Sequence, residues 1–138
     1  MADPEQTSVD RRLDWFAASV GLVLAVLAQL AGGALLFTHG GSLVTQELFA
    51  FGILLVAGFL AGRLGPLTGG VWNGMLVAIG FIVVEALART IMDVRLMGNT
   101  GVTHGSDMVT LFVDDIVVLS GGTLGGWLSR FARLTIAR

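Results

Sequence analysis

Four stretches of the chain, residues 15–37, 43–62, 71–92 and 108–128, are almost wholly apolar. Each is close to the ~20 residues that an α-helix needs to cross the hydrocarbon of a bilayer. The expected fold is therefore all-α: a polytopic membrane protein with four transmembrane helices in a bundle. A length of 138 residues fits a single domain. Residues 1–12 read as a polar cytosolic tail and residues 13–138 as the transmembrane domain. The first apolar run exceeds the 7–15 residues of a signal-peptide core, and "MADPEQTSVD" before it leans acidic, so it reads as a retained helix. Asp10 is the expected N-cap of a helix that begins "RRLDWF".

Composition narrows the function classes. Charged residues make up 13% of the chain, about half of what a soluble domain carries. There is no cysteine, which excludes disulfides and thiolate metal sites. A net charge of −2 gives no footprint for nucleic acid. All eight basic residues are arginine in an Ala/Gly/Val/Leu-rich chain, a bias expected of a GC-rich prokaryotic gene.

Arginine and tryptophan set the expected orientation. With the N-terminus inside, Arg11, Arg12, Arg63, Arg130, Arg133 and Arg138 are cytoplasmic, and only Arg89 and Arg95 lie toward the other face. Trp15, Trp72 and Trp127 fall at the same cytoplasmic helix ends, where aromatic belts sit. The expected location is the inner (plasma) membrane with both termini cytoplasmic. The tail "RFARLTIAR" then lies against anionic headgroups.

Glycines recur at four-residue spacing: Gly58/Gly62, Gly70/Gly74/Ala78, Gly121/Gly125 and Gly122/Gly126. Lipid provides no hydrophobic push between helices, so close backbone approach through small residues replaces it. "GFLAGRL" (58–64) and "GTLGGWL" (122–128) share one pattern, which suggests two tandem helical hairpins. Recurrent small residues in any tight bundle would give the same likeness.

Against this apolar ground the polar residues stand out. Gln29, Glu47, Glu85 and Asp114 each lie about 14–15 residues from the cytoplasmic end of their helix, roughly 21 Å up at 1.5 Å per residue. Arg89 follows Glu85 by one helical turn. An ionisable group at such a depth costs about 2.5–3.5 kcal/mol on insertion scales. Pairing of Arg89 with Glu85 and with a carboxylate of helix 4 is expected, but one arginine cannot neutralise Glu85, Asp114 and Asp115 together. Asp114 and Asp115 point about 100° apart. Asp114 heads the stripe Val118, Gly121, Gly125, and Asp115 heads Leu119, Gly122, Gly126. Helix 4 thus has two close-packing faces. One is expected to meet helix 3 or helix 1, the other a second copy, a different protein or a water-filled cavity.

The segment 93–107 reads as the longest exterior loop. Asp93, His104 and Asp107 there, with His39 in the other exterior loop, lack any metal-ligand spacing, so no metal is assigned. No pattern identifies a cofactor. No Ser/His/Asp set at one depth and no phosphate loop is present, so no enzyme is expected.

"AGRLGPLTGGVWNG" (61–74) and "GGTLGGWL" (121–128), in a four-helix chain of this length, resemble small glycine-rich prokaryotic membrane proteins of unknown function. That resemblance implies a bundle and no activity. "GGTLGGWLSR" is similar to the GGxxGxxxR motif of dimeric fluoride channels, but it lies in helix 4 and Arg130 comes one residue late. Small multidrug-resistance transporters also have four helices, with an acid in helix 1; here that helix carries Gln29, and Asp14 only at its edge. The expected function is a structural or accessory subunit, embedded in the bilayer and packed into a homo-oligomer or against other membrane subunits. The alternative is a small homo-oligomeric proton or cation transporter that uses the acidic layer.

Overall fold

The computed structural model describes residues 14–38, 42–66, 68–100 and 108–136. The tail at 1–12, Asp10, His39, His104 and Asp107 lie outside these residues, as does the side chain of Asp93. The chain forms four helices: α1 Trp15–Thr38, α2 Leu43–Leu64, α3 Gly70–Thr100 and α4 Met108–Ile136. All four are long and apolar enough to cross a membrane. This is a multi-pass helical bundle. In hydrocarbon every backbone group must bond within its own segment, and an uninterrupted helix does so. Neither proline of the chain lies in a described helix; Pro66 sits in the α2–α3 turn. Hydroxyls in the spans bond back to their own helix, as Thr90 does to the Ala86 carbonyl and Thr123 to that of Leu119.

Several element ends differ from the sequence expectation. α1 is described from Trp15 and Asp14 caps it there, while the expected cap, Asp10, lies outside the described residues. The Asp14 carboxylate accepts from the N–H groups of Phe16 (3.0 Å) and Ala17 (3.2 Å). α3 continues past 92 to Thr100, so residues 93–100 are helix rather than loop. α4 continues past 128 to Ile136. Hydropathy marks where the apolar zone stops; "DVRLM" and "SRFARLTI" contain no Gly or Pro to stop the helix there.

α2 and α3 touch each other and both outer helices, whereas α1 and α4 do not touch among the described residues. Leu54, Val77, Phe81 and Val118 are the large side chains at the centre, surrounded by Ala18, Ala25, Ala57, Ala61 and Ala78. The two ends of the bundle are distinct. One carries Trp15, Trp72 and Trp127, and is called here the tryptophan end. The other carries Glu47, Glu85 and Asp114, and is called the acidic end.

The glycine series converge toward the tryptophan end. A Cβ on Gly58 or Gly74 would strike the backbone of Gly122, and one on Gly62 or Gly70 would strike Ser129 or Gly126. A Cβ on Gly121 would lie 3.0 Å from the Phe51 carbonyl, and one on Gly125 would meet Leu55 and Phe59. The Gly122/Gly126 face of α4 therefore meets α3, with Gly58 and Gly62 of α2 closing on the same line. The Gly121/Gly125 face meets α2. This corrects the expectation that the second face of α4 needs a partner outside the chain: α2 fills it. The repeated motifs face each other, Gly58 on Gly122 and Gly62 on Gly126. Contact between α2 and α3, without its counterpart between α1 and α4, means the two hairpins are not packed symmetrically.

Candidate functional site

Helix register sets the heights of the polar groups. Gly21 against Val77 and Leu22 against Gly80 fix α1 on α3, which puts Gln29 level with Glu85. Gly62 beside Gly126 and Gly121 beside Leu54 fix α2 on α4, which puts Glu47 level with the turn that carries Asp114. Of the six groups in this layer, three come together. Arg89 Nη2 donates to Glu85 Oε1 at 2.5 Å and to Asp114 Oδ2 at 2.9 Å. Glu85 and Arg89 share a face because they are one turn apart. Asp114 completes a bridge from α3 to α4.

The other three stand at the same height without that contact. The Gln29 Oε1 atom is buried and has no hydrogen-bond partner among the described residues. Glu47 and Asp115 are half-buried, with no hydrogen bond among the described residues. At this level the bundle is open. Val83, Leu87, Ile91 and Met92 of α3 are exposed, as are Phe112, Val113 and Ile116 of α4. The bridging groups are themselves only partly covered: the Arg89 side chain is 43% exposed, Glu85 33% and Asp114 21%. Glu85 lies about 22 Å and Arg89 about 28 Å along α3 from Gly70, against a hydrocarbon thickness of about 30 Å. The cluster thus sits just inside one membrane boundary. Its chemistry is that of an ion bridge with surplus carboxylates, able to pair a cationic group or to pass a proton. Among the described residues no group of three His, Asp or Glu could hold a metal ion.

A second polar cluster, at the tryptophan end, was not apparent from the sequence. Asn73 is completely buried, and its Oδ1 accepts from the Asp14 N–H at 3.0 Å, which ties α3 to the start of α1. Its Nδ2 has no hydrogen-bond partner among the described residues and occupies the space where a Gly65 Cβ would be. Arg133 donates to the carbonyls of Gly62 (2.8 Å), Gly65 (2.7 Å) and Arg63. Those carbonyls end α2, so the guanidinium of α4 acts as its C-terminal cap. The expectation had set Arg133 against lipid headgroups. Ser129, also buried, bonds back to Gly126 at 2.6 Å. Trp127 and Phe131 meet edge to face with ring centroids 4.3 Å apart. The only sequence signal for this cluster was a lone amide, Asn73, inside an apolar run.

No family model, no curated protein and no solved structure matches the chain.

Proposed function

We propose that this chain is a non-enzymatic integral membrane subunit that packs, through its acidic end, into a homo- or hetero-oligomeric membrane complex. The reading places it in the plasma (inner) membrane with both termini and the tryptophan end on the cytoplasmic side. The arginine distribution and the tryptophan belt support that orientation. The observation that carries the proposal is the partly covered Arg89 bridge at membrane depth. An ionisable group costs about 2.5–3.5 kcal/mol at the centre of a membrane helix and less toward its ends, while interhelical polar contacts return only about 0.6–2 kcal/mol. A neighbouring membrane subunit over α3 and α4 removes the remaining lipid exposure. Glu85, Arg89, Asp114 and Asp115 are then docking groups.

A second reading rests on the unpartnered members of the layer. Gln29, Glu47 and Asp115 stand level with the bridge and are not consumed by it. A proton or cation path in a small homo-oligomer would use such groups. The test is native mass spectrometry of tagged protein extracted gently from its own host membrane. A stoichiometric assembly, with itself or with other subunits, is the expected result. Monomer alone overturns the docking reading. A homo-oligomer that also carries ion flux, lost in Asp115→Asn, moves the assignment to transport.

A further inference from the structure

Buried contact between α3 and α4 stops at one level. Among the described residues, the last buried one of α3 is Phe81 and the first of α4 is Val118. A Cβ on Gly122 would press on Ala78, and that register sets Phe81 within a turn of Val118. Beyond this level α3 continues for about 28 Å to Thr100, and α4 runs back about 15 Å to Met108. Between residues 83 and 92 only Glu85 is not exposed. Among the described residues, the Arg89–Asp114 bridge is the only side-chain hydrogen bond or ion pair from that stretch to another helix. Lipid tails solvate Leu87 or Ile116 as well as a neighbouring helix does, so no hydrophobic push holds the two segments together.

Each helix also softens where the buried contact ends. α3 carries Gly80 there, the residue on which Leu22 of α1 packs, and a glycine inside a helix weakens it. α4 carries Ser120, Gly121 and Gly122. The Ser120 hydroxyl donates to the Val117 carbonyl at 2.8 Å, and that of Thr123 to the carbonyls of Leu119 (2.8 Å) and Ser120 (3.1 Å). Hydroxyls bonded back by one turn bend a helix, and Gly/Ser pairs are where helices kink. We propose that the acidic-end halves of α3 and α4 are a pair of hinged arms, pivoting near Gly80 and Ser120 and latched shut by Arg89 on Asp114. Unlatching parts the two helices at the level of Glu85 and Asp115 and admits water there. The device rests on a bridge within one chain and does not depend on the proposed docking.

The chain has no cysteine, so spin labels can be placed in pairs. One pair, Met92→Cys with Phe112→Cys, reports on the arms; a reference pair, Ile79→Cys with Leu124→Cys, lies on the tryptophan side of the hinge, and all four sites are exposed. Pulsed electron–electron resonance on the full chain in lipid nanodiscs is expected to show a short arm distance with a minor long one. Arg89→Met should raise the ratio of long to short by about 3- to 30-fold, the range set by one interhelical polar contact in lipid, and leave the reference pair unchanged. An unchanged arm distance overturns the latch. Equal change in both pairs also overturns it, because the bridge then holds the whole bundle. Adding Gly80→Ala and Ser120→Ala to Arg89→Met is expected to return the ratio toward wild type, and a ratio left as it was overturns the hinge.

Discussion

At the tryptophan end, helices meet backbone to backbone; at the acidic end, they are joined by a side chain reaching across. Gly58, Gly62, Gly70, Gly74, Gly122 and Gly126 let three helices close on one line, and Arg133 and Asn73 lock the termini around it. Toward the other end, no described residue of α3 beyond Phe81 or of α4 before Val118 is buried, and among the described residues one polar link, Arg89 to Asp114, joins the two helices. The difference shows what each kind of contact can do in lipid. Close packing needs only the absence of side chains, and it is complete within the chain. An ion bridge spans a gap but leaves its own charges half-covered, which is why the proposed docking face is placed there.

The largest effect should come from the closed end. Gly74→Leu drives a side chain into the Gly122 backbone. It should lower stability by about 3 kcal/mol or more, measured by steric trapping or SDS unfolding. A variant as stable as wild type would mean the glycine line does not hold the bundle. Next is Arg133→Met, which keeps the apolar stem and removes the donor to three carbonyls. A loss of about 2 kcal/mol in the same assay is expected, with hydrogen exchange rising first at the end of α2. Arg89→Met should cost the isolated chain only about 1 kcal/mol, because its bridge is half-exposed, yet it should strip the assembly from the native mass spectrum. Equal damage to fold and assembly would erase the distinction between the two ends. The smallest effect belongs to Asp114→Asn. An amide retains a hydrogen bond to Arg89, so recovery of the assembly should stay near that of wild type; its loss would show that docking needs the charge itself.

Much of this architecture is legible in the residues, and the exceptions have physical reasons. Long apolar runs reveal spans because hydrocarbon selects them, and glycine spacing reveals faces because it follows the helical turn. Neither shows where a helix stops when no breaker follows, so α3 and α4 run on to Thr100 and Ile136. A small-residue face does not reveal whether its mate is in the same chain. The second close-packing face of α4 was expected to meet a second copy, a different protein or a cavity, and the packing gives the Gly121/Gly125 face to α2 instead. The Arg89–Glu85 pair was readable because it is local, one turn apart. Asn73 with Asp14 and Arg133 with the end of α2 were not, since each joins residues about 60–70 positions apart and depends on which helices become neighbours.

The most direct test of the central claim places a photoreactive benzoylphenylalanine at Leu87, and in a separate variant at Leu124. Both positions are exposed apolar sites in transmembrane helices, one on each side of the divide. On irradiation in native membranes, the account predicts a protein adduct of defined mass from Leu87 and only lipid adducts from Leu124. Protein adducts from Leu124 with none from Leu87 would place the interface at the closed end and contradict it.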